Sequence, residues 1–321
     1  MPQVNTVLGP IKPEELGTTA LHEHIQFGQP GWDLDPLVTW DDAEGFEKIK
    51  NDLLAFKQAG GKTLVDLSGM ANGRDVEFYQ CLSRASGVHV VACTGFWALN
   101  GIPGRLRSAS ADFFEELFVS ELTQGMLLPK VLRRSEARAG IIKVAIDSFA
   151  QQPHPTEEAT FRAAARAAKR TGCAIATHGI THAYRQMEIF EEEGIDPTRV
   201  YIGHAEAAYA LDLERDKEIC RRGYYLGYDH IGYEPHWSTA PYAMPDEKRV
   251  ELTKAMVDAG YVSQLIISCD TNGRSLSAQQ KQHGYAWLLD SFVPKLLRAG
   301  ITETQIQTML VETPRKLLPM G

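Results

Sequence analysis

The sequence predicts an α/β fold, a (β/α)8 TIM barrel. Three observations carry that expectation: eight apolar runs of strand length, amphipathic stretches alternating with them, and glycines that close most of those stretches. The runs cover residues 18–25, 63–68, 88–94, 141–146, 174–177, 200–203, 224–227 and 264–268. They are continuously apolar, as strands of a parallel sheet are when helices cover it. The clearest helical stretches are 156–170, 183–193, 213–222 and 246–259, followed by Gly172, Gly194, Gly223 and Gly260, which suit helix C-termini. Residues 303–318 read as an extra C-terminal helix packed outside the barrel. A doubly wound open sheet is the competing architecture, but it would carry a glycine-rich phosphate turn after its first strand, where this chain has His22-Glu23-His24.

No linker rich in Pro, Gly or Ser divides the 321 residues, so one domain spanning 1–321 is expected. The longest connections follow the third, seventh and eighth strands (98–110, 231–245 and 271–283), and long loops in compact domains are usually functional. With 33 Lys and Arg against 41 Asp and Glu the formal charge is −8, and no basic cluster is long enough to follow a phosphate backbone, which argues against nucleic acid as a partner. No segment has membrane-spanning length and the N-terminal residues lack a basic region followed by an apolar one, so no membrane partner and a cytoplasmic location are expected. Cys81, Cys93, Cys173, Cys220 and Cys269 are widely spaced, odd in number and free of any CxxC pair, so they read as buried thiols.

The active site of a parallel barrel lies at the carboxyl ends of its strands, which makes the polar residues ending each run the candidates. They are His22 and His24 on the first strand, Lys143 on the fourth, His178 on the fifth, His204 on the sixth, Asp229 and His230 after the seventh and Asp270 after the eighth. Residues two apart on a strand face one side, so His22 and His24 can grip a single ion. Alone, such a pair is as easily two structural histidines. Imidazole and carboxylate recurring at converging strand ends supply the nitrogen and oxygen donors that zinc, cobalt, manganese or iron accept. Lys143 is the odd member: either an interior lysine paired with an acid, or an amine carboxylated by carbon dioxide into a metal-bridging ligand.

The segments His22-Glu23-His24, Gly73-Arg74-Asp75-Val76, Cys93-Thr94-Gly95-Phe96-Trp97, Ile142-Lys143-Val144-Ala145, Ala176-Thr177-His178, Ile202-Gly203-His204, Gly227-Tyr228-Asp229-His230 and Ser268-Cys269-Asp270 follow one another in this order. Through them, over nearly its whole length, the chain resembles the phosphotriesterase-related proteins of the amidohydrolase superfamily, which include phosphotriesterases and phosphotriesterase-like lactonases. The resemblance implies two divalent metal ions, with zinc placed before cobalt, manganese or iron. His22, His24 and Asp270 would hold the more buried ion and His178 and His204 the more exposed one, with Lys143, as N6-carboxylysine, and a hydroxide bridging them. By the same resemblance the hydroxide attacks a carbonyl carbon or a phosphorus centre, Asp270 is the general base, and His230, preceded by Asp229, receives the proton. A homodimer is implied as well. The family often has two carboxylates after the sixth-strand histidine, whereas Ala205-Glu206-Ala207 offers only Glu206, so whether Glu206 completes a relay with His230 is open.

Phe27 and Trp97, with Tyr233, Trp237 and Arg274 from the later loops, form the expected substrate pocket, and Trp32, Tyr242 and Met244 can extend it. Apolar lining suits a small neutral ester. Lactone or carboxylic ester hydrolysis, as of acyl-homoserine lactones, is placed first, with organophosphate triester hydrolysis accompanying it. Trp97 and His230 follow the phosphotriesterase pattern, where lactonases of the family often carry Tyr and Arg. The alternatives are a dedicated phosphotriesterase, a mononuclear amidohydrolase with unmodified Lys143, and a non-catalytic ligand-binding barrel. Thr313 stands where the family has Asn and is expected to cap a helix.

Overall fold

The computed structural model describes residues 1–34, 42–128, 133–236, 238, 240–275 and 283–321. Every expected run forms a parallel strand: β1 (Thr19–Phe27), β2 (Thr63–Asp66), β3 (His89–Gly95), β4 (Ile141–Ala145), β5 (Ala174–His178), β6 (Val200–Ile202), β7 (Tyr225–Tyr228) and β8 (Leu265–Ile267). The helices α1 (Asp42–Gln58), α2 (Val76–Ser86), α3 (Ala111–Thr123), α4 (Pro155–Thr171), α5 (Ala183–Glu193), α6 (Leu213–Arg221), α7 (Asp246–Asp258) and α8 (Val293–Arg298) follow the strands in turn. Helix α4 shows why the local sequence suffices for such elements. His154 and Glu157 form a capping box, Pro155 pre-sets the first turn, and Gly172 at φ 73° closes the last.

The eighth strand differs from its expected extent of 264–268. Pairing with β7 stops at Ile267, and after four residues the chain resumes as a strand, Asn272–Ser275, that pairs in parallel with β1 in the register Asn272↔His24 and Arg274↔Gln26. One chain segment therefore hydrogen-bonds β7 with its first part and β1 with its second, and this closes the sheet into a barrel.

Alternation along the strands divides the apolar residues into two layers. Leu21, Val65, Val91, Cys93, Ile141, Ala176, Tyr201 and Ile266 form the inner layer together with Val4, Leu16, Leu317 and Leu318. The other strand face, with Leu64, Val90, Ile142, Ile175 and Leu226, packs against Phe56, Phe118, Phe161 and Phe190 of the helices. A hairpin of Val4–Thr6 and Gly9–Ile11 lies against the start of β3, where the Val7 amide donates to Val90 at 2.9 Å. Gln3 bridges Met320 beside it, so both chain termini stopper the amino-terminal ends of the strands.

The C-terminal stretch is helical from Glu303 to Leu317, with a wider turn over Thr308–Glu312. Thr313 sits inside it and donates its hydroxyl to Ser263 at 3.2 Å, a tertiary bond in place of the expected cap. Of the five cysteines, all free, Cys81 is exposed and the other four are buried, so the expectation of uniformly buried thiols fails at that residue of α2. Among the described residues no helix is long and apolar enough to cross a membrane.

Candidate metal centre

The inner face of β1 does not follow from simple alternation. Ala20 and Ile25 belong to the outer apolar layer and Leu21 to the inner one, which would turn His22 outward. The pairing of β1 with β2 shifts register between Ala20 and Glu23, and this bulge carries His22 and His24 back into the barrel. For Lys143 and His178 strict alternation suffices, since Lys143 is two residues beyond inward Ile141 and His178 two beyond inward Ala176, whereas His204, three beyond inward Tyr201, enters the centre from a left-handed backbone at φ 64°. Gly95, at φ 98°, lets β3 close on β4: a Cβ there would lie 2.0 Å from the Lys143 carbonyl.

Asp229 is buried between two of the histidines. Its Oδ2 accepts from His22 Nδ1 at 2.9 Å and its Oδ1 from His204 Nδ1 at 2.7 Å, with further bonds from the His204 amide at 3.0 Å and the Tyr201 hydroxyl. An ionised carboxylate only accepts, so both imidazoles carry their proton on Nδ1 and turn Nε2 toward the centre. Burial alone would raise the Asp229 carboxyl, but the imidazoles outweigh it and hold the group well below the usual carboxylate range. Burial, then Lys143, lowers His22 to about 3, which keeps its ring neutral. Burial, then His204, likewise pushes His178 well down; the two rings are 4.4 Å apart.

Asp270 faces His24 and His22. Its Oδ1 is 2.8 Å from His24 Nε2 and 3.6 Å from His22 Nε2. Burial would raise this carboxyl too, and His22, then His24 and His204, bring it far below its ordinary value. Among the described residues His204 (φ 64°) and Asp270 (φ 50°) are the non-glycine positions with positive φ, and strain of this kind persists where the surrounding structure imposes it. Lys143 is fully buried with Nζ 3.2 Å from His22 Nε2, and burial lowers its pKa. Asp270 and then Asp229 act against that shift through space, while the bond that Lys143 makes is to His22.

The donor atoms of these residues converge on one space. His22, His24 and Asp270 offer donor atoms within 4.8 Å of each other, as do His204, His230 and Asp270. Neutral imidazoles, ionised carboxylates and a lysine biased toward its free amine are a donor set that fits divalent cations.

The strand-seven side is built differently. The His230 ring stacks between His204 (4.2 Å, 9°) and Tyr242 (4.2 Å, 11°). Its Nε2 lies 3.6 Å from Asp270 Oδ2, and its buried Nδ1 has no hydrogen-bond partner among the described residues. Burial, then His204, holds the ring well below its usual pKa and so neutral. Glu206 accepts from the His230 backbone amide, and its Oε2 has no hydrogen-bond partner among the described residues, so it makes no direct bond to the ring.

Of the expected pocket residues, Phe27 and Trp97 meet edge to face at 5.9 Å, with Phe27 against His24 (5.2 Å) and Trp97 against His178 (5.8 Å). Tyr233 is buried and donates its hydroxyl to the Asp270 carbonyl at 2.8 Å. The Arg274 guanidinium lies against Gly45 in the first turn of α1, and Trp237 falls outside the described residues. Reading strand ends alone misses three supports. Ser68 bonds His24 Nδ1 at 3.0 Å, and Tyr201 bonds His22 Nδ1 at 3.0 Å. Glu23 accepts from Ser268 Oγ, Cys269 N and Thr271 N at 2.7, 2.9 and 2.7 Å. Burial lifts the Glu23 carboxyl to about 8 against the pull of those bonds. Its place inside the His-x-His motif was the available signal.

A model of the Phosphotriesterase family matches residues 2–318, and the chain belongs to that family. It is 29% identical to an Escherichia coli phosphotriesterase homology protein, covering 93% of this chain and 96% of that one. It is 28% identical to a Saccharolobus solfataricus aryldialkylphosphatase (95% and 96% covered) and 27% identical to a Danio rerio N-acetyltaurine hydrolase (98% and 97%). A solved structure described as organophosphate hydrolysis engineered from a weak promiscuous lactonase template superposes with a TM-score of 0.87 at 28% identity, covering 98% and 99% of the two chains.

Proposed function

We propose that this phosphotriesterase-family hydrolase is a binuclear metal-dependent lactonase or carboxylic esterase that also cleaves organophosphate triesters. The observation that carries the reading is the convergence of Asp270 Oδ1 on His24 Nε2 at 2.8 Å and His22 Nε2 at 3.6 Å, with the Lys143 amine on the same His22 Nε2 at 3.2 Å. His22, His24 and Asp270 would hold one cation, His178 and His204 the other, and Lys143 would lie between them as N6-carboxylysine. Its free amine bonds to carbon dioxide through Nζ and releases a proton. Zinc is the first candidate and cobalt, manganese and iron the others. When bound, two such ions supply Lewis acidity and a water made nucleophilic at neutral pH.

The protein's own groups do the rest. Asp229 keeps the His22 and His204 rings aimed, and Asp270 takes the proton of the attacking water at Oδ2 and passes it to His230 Nε2 across 3.6 Å. Glu206 bonds the backbone of His230 rather than its ring, so the relay ends at His230. Phe27 and Trp97 on one side and Tyr242 on the other bind a small neutral ester by its apolar parts.

The test is metal analysis, followed by a parallel assay of zinc- and manganese-loaded protein on acyl-homoserine lactones, δ-lactones, aryl esters, paraoxon-like triesters and an N-acetyl amide. Two equivalents of metal, with lactones or esters cleaved fastest, are expected. Fewer than one equivalent overturns the centre, and exclusive amide cleavage overturns the ester reading. Lys143→Ala should abolish activity with partial rescue by short carboxylic acids, and a fully active variant rules out the bridged pair.

A further inference from the structure

Glu23 lies between the two ligand-type histidines of β1, yet its carboxylate faces β8 rather than the centre. Between Ile267 and Asn272 the eighth strand leaves its ladder, and the chain turns through Asp270 in the left-handed conformation. Cys269 and Thr271 flank that turn and are buried, so their amides need acceptors, and an unmet buried donor costs about 1–3 kcal/mol. One carboxylate serves both: Glu23 Oε1 accepts from the Cys269 amide at 2.9 Å and Oε2 from the Thr271 amide at 2.7 Å. Ser268 Oγ donates to Glu23 Oε1 at 2.7 Å while accepting from the His22 amide at 3.0 Å, and the Asp270 amide donates to the His22 carbonyl at 2.9 Å. The residues before, at and after Asp270 are thus tied to the segment that carries His22 and His24.

We infer that Glu23 is a positioning residue: its carboxyl group takes the Cys269 and Thr271 amides on either side of Asp270 and, with the backbone bonds from Asp270 to His22 and from His24 to Thr271, holds Asp270 in the left-handed turn that aims its side chain at His22 and His24. A carboxyl side chain suits this task, because its two oxygens offer lone pairs to three converging donors from one residue. Left-handed backbone at a non-glycine residue is costly and persists only where neighbours impose it, and these bonds are the imposing contacts. The inference rests on the reading of His22, His24 and Asp270 as ligands of one cation.

The experiment is a calorimetric titration of chelator-stripped protein with Zn2+, comparing wild type, Glu23→Gln and Ser268→Ala, with a crystal structure of Glu23→Gln. Gln keeps the volume but sets an NH2 against one of the three donors. Wild type should take up two equivalents. Glu23→Gln should raise the Kd of one equivalent by about 10–100-fold, the size typical of groups that orient ligands. Its kcat should fall while KM for the same lactone holds, and Asp270 should leave the left-handed region. Ser268→Ala, which retains the carboxylate, should show a smaller weakening of the same equivalent, and it carries the test if Glu23→Gln fails to fold. Wild-type Kd values in whichever variant folds, or an unmoved Asp270 in Glu23→Gln, overturn the inference and leave the metal reading standing. A wild type that binds no Zn2+ overturns both.

Discussion

Where the amino-terminal ends of the strands meet, Val4, Leu16, Leu317 and Leu318 close the barrel with apolar side chains; where the carboxyl ends meet, His22, His24, Lys143, His204, Asp229 and Asp270 are buried or nearly so. At the first end burial is favourable by about 25 cal/mol per Å2 of apolar surface. At the second, burial works against each charge, as the downward shifts of His22, His178 and Lys143 record, and Asp229 offsets part of that through two imidazoles. Among the described residues, the two non-glycine positions with positive φ both lie at the polar end. The difference teaches that stability and reactivity are housed at opposite ends of one barrel, a division open to experiment.

The strongest way to break it is Asp270→Asn. Activity should fall about 10²–10⁴-fold, the range lost with a general base, while the melting temperature of metal-free protein holds or rises. A low-melting variant with full kcat/KM would refute the division. Next, Leu318→Ala at the apolar end should cost about 2–5 kcal/mol in urea unfolding and leave kcat/KM of the folded protein unchanged. Asp229→Asn keeps one acceptor oxygen and sets an NH2 against the other imidazole, and should weaken metal binding about 10–100-fold, as read by chelator competition.

The smallest effect belongs to the layer between the ends, where Arg74 forms a buried pair with Glu121 at 2.7 Å. Burial would raise the Glu121 carboxyl, but Arg74 outweighs it and the pKa is lowered from 4.5. A lowered acid contributes stability that is present above its unfolded pKa and lost as pH falls below it. Unfolding free energy should therefore drop by on the order of 1 kcal/mol from this pair as pH goes below about 4.5. Arg74→Met should flatten that part of the profile, and an unchanged acid slope in the variant would sink the assignment.

Sequence periodicity determined much of this molecule. The runs at 141–146 and 174–177 are the strands Ile141–Ala145 and Ala174–His178, and the stretch at 183–193 is the helix Ala183–Glu193. Strand direction and layering follow from local alternation and capping, and the polar strand ends are visible as breaks in apolar runs. The metal-type residues and the family motifs sit at those breaks.

Only the tertiary structure decided how those residues meet. The bulge in β1 that aims His22, the split eighth strand that closes the ring, and the left-handed Asp270 depend on partners far along the chain. So do Asp229 between two imidazoles and Glu206 on the backbone of His230 rather than its ring. His22 and Asp229 are separated by 207 residues, and Glu23 and Thr271 by 248. Periodicity reports which way a side chain leaves its own strand, whereas hydrogen-bond partners are assigned by neighbouring strands, and no local pattern encodes which neighbour will supply the donor.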